Sequence, residues 1–223
     1  LCPVIDYYRA ATPLVIVPAG AIGCDGSTLT VRLFSRTPID RITAVHADSD
    51  SNTSVALLRV LLDELYDLHP RIIVYHAGDR GTAGRRADPP QTILLIGDKV
   101  VTDAPSVAGF THQLDLGTAW KRLTGLPFVF AVWMAQHGTP LGQLPQILER
   151  QRDHNAGRID AIVDRHAETH GWPVQLARDY LGRILHYRVG ARQIEAIERF
   201  GAMAARLGLV DRLRPLELWG RQA

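Results

Sequence analysis

Cysteine is scarce in this chain: Cys2 and Cys24 are the only two among 223 residues. Two cysteines cannot make a dense disulfide framework, and no CxxC is present, so redox and zinc-thiolate readings find no support. Lysine is as scarce, with Lys99 and Lys121 alone among basic residues that are otherwise arginines. The arginines are spread along the chain and the formal net charge is only +2, so no basic face argues for nucleic acid. No apolar run reaches the roughly 20 residues of a membrane span. The opening LCPVIDYYRA has neither the basic start nor the small-residue cleavage site of a signal peptide, so a cytoplasmic protein is expected. HExxH and GxSxG are absent. What remains is 46% hydrophobic and 22% charged, ordinary for a globular chain with a full core in one domain or two small ones.

Apolar periodicity organises the middle of the chain. LVIVPAG (14–20) reads as a buried strand closed by Pro18 and Gly20, followed by a glycine-punctuated loop at 21–27. TLTVRLFS (28–35) alternates as a strand does, RITAVHA (41–47) is a further candidate, and RIIVYHA (71–77) and TILLIGDKVV (92–101) follow. Between them Val55, Leu58, Leu62 and Leu65 recur at helical spacing. Strand, helix, strand, loop, strand predicts an α/β unit with a mostly parallel sheet, interrupted by a polar loop at 78–90. DLGTAWKRLTGLP (115–127) reads as helix up to Gly125 and FVFAVWMA (128–135) as a buried strand. From 141 onward the pattern is helical, over 141–171, 174–185 and 191–210, with Gly208 as a stop for the last.

Three segments could carry chemistry. Ser51, Asn52, Thr53 and Ser54 stand at the start of the helix, with Asp50 or Ser51 as N-cap. The first-turn amides have no partner within the helix, and with the hydroxyls and the helix dipole they suit a carboxylate or phosphate; the same residues also serve as plain caps. Gly97 and Asp98 close a buried strand at its C-terminal end, where open α/β sheets bind ligands, although Asp98 could equally cap the next turn. GCDGSTLT (23–30) brings polar side chains, Thr30 among them, to a turn that is neither a Walker loop nor a dinucleotide fingerprint. His154, His166 and His170 read as a solvated helix face.

Taken in order, CDGSTLTVRLFSRTPIDRI, ADSDSNTSVALLRVLLDE, TILLIGDKVV and DLGTAWKRLTGLPFVFAVWMA resemble the chorismate dehydratases of menaquinone biosynthesis, in the futalosine pathway. The resemblance spans residues 23 to 135 and extends to the helical tail. It implies an α/β fold of the type II periplasmic-binding-protein kind, two lobes around a cleft with a helical C-terminal tail. Residues 1–36 and 127–223 would form the first lobe and 37–126 the second. Family chains start well before the position of Leu1, with a Tyr-Leu-Asn segment facing the cleft, so at least one βαβ unit, about thirty residues or more, is expected to be missing here. The family's usual arginine in its SRTS motif is Asn52 in this sequence, and Thr30 replaces a serine.

The implied reaction is loss of water from chorismate to give 3-[(1-carboxyvinyl)oxy]benzoate. Carboxylate binding then falls to Ser51, Asn52, Thr53 and Ser54, with Gly97 beside them. Thr30 would hydrogen-bond the reacting part of the substrate, and Asp98 would orient a polar group or act as base. No segment presents an obvious strong base, so the substrate's own side-chain carboxylate is a candidate for that role. No cofactor and no metal is expected. The expected partner is a small dicarboxylate, chorismate, with no nucleic acid or membrane, and a homodimer is compatible with this. Two other readings compete: 1,4-dihydroxy-6-naphthoate synthase on the same fold, whose helix start is usually threonine-alanine, and a non-catalytic binding protein for a small carboxylate.

Overall fold

A computed structural model of the chain describes residues 1–48, 51–75, 90–102 and 109–220. Two sheets organise it. The first is antiparallel and three-stranded, with β8 (Phe128–Gln136) between β1 (Cys2–Pro3) and β2 (Leu14–Cys24). The second has five strands in the order β5 (Arg71–Tyr75), β4 (Ala44–Asp48), β6 (Thr92–Ile96), β3 (Val31–Ser35), β7 (His112–Asp115). There β4 runs parallel to β5 and β6, while β3 runs antiparallel to β6 and β7. Residues 31–35 therefore share a sheet with the segment 37–126.

The strand expected to end at Gly20 continues to Cys24. Its register against β8 shifts between Val17 and Ala21, where Pro18 has no N–H to give the ladder. The strand expected over 92–101 stops at Ile96, because Gly97 turns the backbone to φ +72 and the short helix α3 (Lys99–Thr102) begins. The apolar opening is mostly the helix α1 (Val4–Arg9), which buries Val4, Ile5, Tyr7 and Tyr8. Helix α2 (Asn52–Tyr66) follows the expected stripe, with Leu57, Leu58, Leu61 and Leu62 fully buried. Each such side chain contributes about 1.5–3 kcal/mol of apolar burial. Helix α4 (Leu116–Thr124) ends at Gly125, whose φ of 73 only glycine adopts without strain.

The helical tail is more broken than its sequence. The span 141–171 divides at Gly157 and Arg158 into α5 (Leu144–Ala156) and α6 (Ile159–His166). Helix α7 (Val174–Asp179) passes into a π-helical turn at Tyr180–Ile184, and α8 (Ala191–Arg206) stops just before Gly208, at φ +65. One apolar cluster joins both sheets: Leu33 and Val45, Leu57, Leu58, Leu61 and Leu62 from α2, Trp120 from α4, Phe128 and Val132 from β8, and Phe200 from α8. The Trp120 indole donates to the Pro127 carbonyl at 2.9 Å and meets Phe128 and Phe200 edge to face. A smaller cluster of Val163, Ala167, Trp172 and Ala177 seats the tail on Leu29 and Val101. Among the described residues no helix is long and apolar enough to cross a membrane. The polar loop at 78–90 lies outside the described residues except for Pro90.

Candidate functional site

Strands β4 and β6 are parallel neighbours, His46 opposite Ile93 and Ala47 opposite Leu94. Their C-terminal ends thus open on the same edge of the sheet, with the start of α2 beyond β4 and Gly97-Asp98 beyond β6. The two ends are tied by an ion pair that sequence reasoning did not single out. The carboxylate of Asp48, only 1% exposed, receives the Lys99 ammonium at 2.6 Å. The signal was present, since Lys99 is one of only two lysines. The other, Lys121, pairs with Asp25, whose carboxyl this contact holds below its ordinary range.

At the α2 start, Ser51 is the N-cap, extended at φ −145, and its Oγ accepts the Ser54 N–H at 3.2 Å. The two serine hydroxyls lie 2.9 Å apart. Thr53 is fully buried, and its Oγ1 accepts the N–H of Ile5 at 3.3 Å, joining α2 to α1. Asn52 is exposed. Asp50, the other N-cap candidate, lies outside the described residues. Of the four side chains, then, Thr53 is spent on the fold and Ser51 caps. Ser54 is buried as well, which leaves Asn52 exposed and Ser51 half-buried.

The other candidates meet beside this edge. Gly97 donates its N–H to the Thr30 carbonyl at 2.8 Å. Thr30 is buried, and its Oγ1 lies 2.8 Å from the Tyr180 hydroxyl. Asp98 accepts the Trp172 indole N–H at 2.9 Å through one oxygen, and the other lies 4.0 Å from His170 Nδ1. Trp172 and Tyr180 stack, ring centroids 5.0 Å apart. Asp98, His166, His170, Trp172 and Tyr180 line a cavity of about 220 Å³ whose remaining walls are apolar. The helical tail thus closes over Thr30 and Asp98 with two aromatic side chains. His166 and His170 are exposed at its rim, whereas His154 lies on α5 beside Arg158.

Over residues 1–206 the sequence matches the family described as menaquinone biosynthesis. The chain belongs to that family. A chorismate dehydratase of Thermus thermophilus is 30% identical over 220 residues, covering 91% of this chain and 77% of the relative. A crystal structure of an Archaeoglobus fulgidus protein superimposes with a TM-score of 0.57, at 16% identity, over 88% of this chain and 74% of the other; that likeness concerns the fold alone.

In this menaquinone-biosynthesis protein the aspartate of DLGTAW has a role its motif did not reveal. Asp115 caps α4 by accepting the Thr118 N–H at 2.9 Å, and it also accepts the amides of Thr28 and Leu29 and the hydroxyls of Ser27 and Thr28. Burial pushes its carboxyl up, but these donors outweigh burial and leave it below its ordinary value. The carboxylate folds residues 27–29 into a tight turn in which Leu29 takes φ 61, a rare conformation for a branched side chain. That turn delivers Thr30 to Tyr180. Away from this edge, at the far end of α2, Asp63, Asp67 and His69 bring ligand atoms within 4.8 Å of one another. The Arg206 guanidinium lies 3.8 Å from the Asp63 carboxylate there, and His69 Nε2 lies 3.5 Å from it.

Proposed function

We propose that this protein is a chorismate dehydratase, converting chorismate to 3-[(1-carboxyvinyl)oxy]benzoate and water. The observation that carries the reading is the convergence, on one sheet edge, of a helix N-terminus with Thr30 and Asp98, which Tyr180 and Trp172 of the tail meet through hydrogen bonds. The 30% identity to a chorismate dehydratase over 91% of the chain supports it. On this reading the two sheets are the centres of two lobes of a type II periplasmic-binding-protein fold. The crossings between them run through the turn held by Asp115 and through Gly125–Pro127.

The α2 start anchors one substrate carboxylate through backbone amides, the Asn52 amide and the Ser51 hydroxyl. Gly97, without a side chain, lets the ring approach the backbone. Thr30 and Asp98 face the reacting carbons. A base removes the proton from the ring carbon that bears the ether, the freed electron pair completes the aromatic ring, and the neighbouring hydroxyl leaves as water. The substrate's side-chain carboxylate takes the proton, since Asp98 is already engaged by Trp172. The protein's part is to hold the diene so that hydroxyl departs rather than the enolpyruvyl group.

Incubating the protein with chorismate discriminates the readings. The dehydratase reading expects disappearance of the ring diene and growth of an aromatic ether. Stabilisation by chorismate without turnover would support the small-carboxylate-binding protein instead, and indifference to chorismate would count against both.

A further inference from the structure

We propose that Tyr180 is a catalytic residue of this site, hydrogen-bonding the departing hydroxyl of the substrate and protonating it as the carbon–oxygen bond breaks; the inference rests on the dehydratase reading above. Hydroxide is a poor leaving group, so the dehydration needs an acid as well as a base. Thr30, Ser51 and Ser54 are aliphatic alcohols, and His170 stands 62% exposed at the rim. Tyr180 is a half-buried phenol, a far stronger acid than an alcohol, 2.8 Å from Thr30 Oγ1 at the sheet edge. Either hydroxyl of that pair can donate, and with Thr30 donating to the phenol oxygen the phenol proton is left for the substrate.

Two features hold the phenol in place. Its ring stacks on Trp172, whose indole N–H is fixed by Asp98. Its backbone opens the π-helical turn Tyr180–Ile184, where Leu185 donates to the Tyr180 carbonyl at 3.0 Å. Such turns are rare and often sit at functional positions, because they rotate a side chain out of the α-helical register. Burial raises the phenol above its ordinary value of 10.0, and the Asp98 charge adds to this while the Thr30 hydrogen bond opposes it. The group is therefore protonated at neutral pH and able to donate.

The step balances without a co-reactant. The ring C–H electron pair becomes the new ring π bond, and the C–O pair leaves on oxygen. Tyr180 gives its proton to that oxygen, forming water. The phenolate recovers a proton from the carboxyl group that took the ring proton, so the enzyme ends as it began.

Tyr180→Phe keeps the ring and its stack on Trp172 but removes the hydroxyl. In the full chain, kcat for chorismate is expected to fall roughly 10²–10⁴-fold, with KM little changed. Replacing Tyr180 by 3,5-difluorotyrosine, a more acidic phenol, is expected to move the alkaline limb of the kcat–pH profile to lower pH. A purely structural tyrosine would not produce that shift. A phenylalanine variant with wild-type kcat overturns the proposal, as does an alkaline limb that fluorination leaves in place; should the phenylalanine variant not fold, the fluorotyrosine profile decides. Wild-type protein inert toward chorismate removes the dehydratase reading and this proposal together, whereas active wild type with an equally active phenylalanine variant removes Tyr180 alone.

Discussion

Thr30 and Asp115 show how single residues build this site. Asp115 folds the turn at 27–29, and the turn presents the buried Thr30 hydroxyl to the Tyr180 phenol at 2.8 Å. Thr30→Ala removes the phenol's partner, and turnover of chorismate is expected to fall roughly 10²-fold; Thr30→Ser, which keeps the hydroxyl, should retain most of it. Steady-state kinetics on the two variants reads this directly. Asp115 makes a separate prediction about pH. Its folded carboxyl titrates below its ordinary value, so it stabilises the fold fully above the unfolded-state value near 3.9, and that contribution is lost as pH falls through the lower folded value. Unfolding midpoints measured between pH 6 and 2.5 should show an acid limb that is shallower in Asp115→Asn.

Elements meet here at closer range than sequence patterns reveal. A Cβ on Gly117 in α4 would lie 2.3 Å from the Gly26 carbonyl oxygen and 2.7 Å from Cys24 Sγ. Gly117→Ala is therefore expected to cost about 1–3 kcal/mol, read as a lowered denaturant midpoint. Lys99→Met leaves the buried Asp48 carboxylate without the ammonium that joins β4 to α3, with an expected loss on the order of 3 kcal/mol in the same measurement. The start and the leucine stripe of helix α2 were legible, because both are local signals. Its stop in the left-handed region at Asp67, φ 54, was not, because nothing in composition marks a non-glycine residue for that role. Strand β7 also left no pattern: His112–Asp115 is short and only half buried, and it exists because β3 offers it a partner. The division of 141–171 at Gly157 and the π turn at Tyr180 left no mark in the periodicity, which reads as helical across both. For the site, Thr30, Gly97 and Asp98 could be named from strand ends, whereas Trp172 and Tyr180 approach them from more than 70 residues away in sequence, beyond the reach of any local pattern.

In the whole molecule the two sheets are held by one apolar cluster and by the tail that clasps Thr30 and Asp98, so a ligand between sheet edge and tail would stabilise everything at once. Chorismate at 100 times its dissociation constant is expected to add about 2.7 kcal/mol, seen as a concentration-dependent rise in Tm. The central claim is chemical, however, and product analysis tests it most directly. Chorismate is incubated with the full protein, and the products are quantified by proton NMR. The account predicts one equivalent of 3-[(1-carboxyvinyl)oxy]benzoate for each chorismate consumed, with no pyruvate. Unchanged chorismate, or a hydroxybenzoate accompanied by pyruvate, would contradict it.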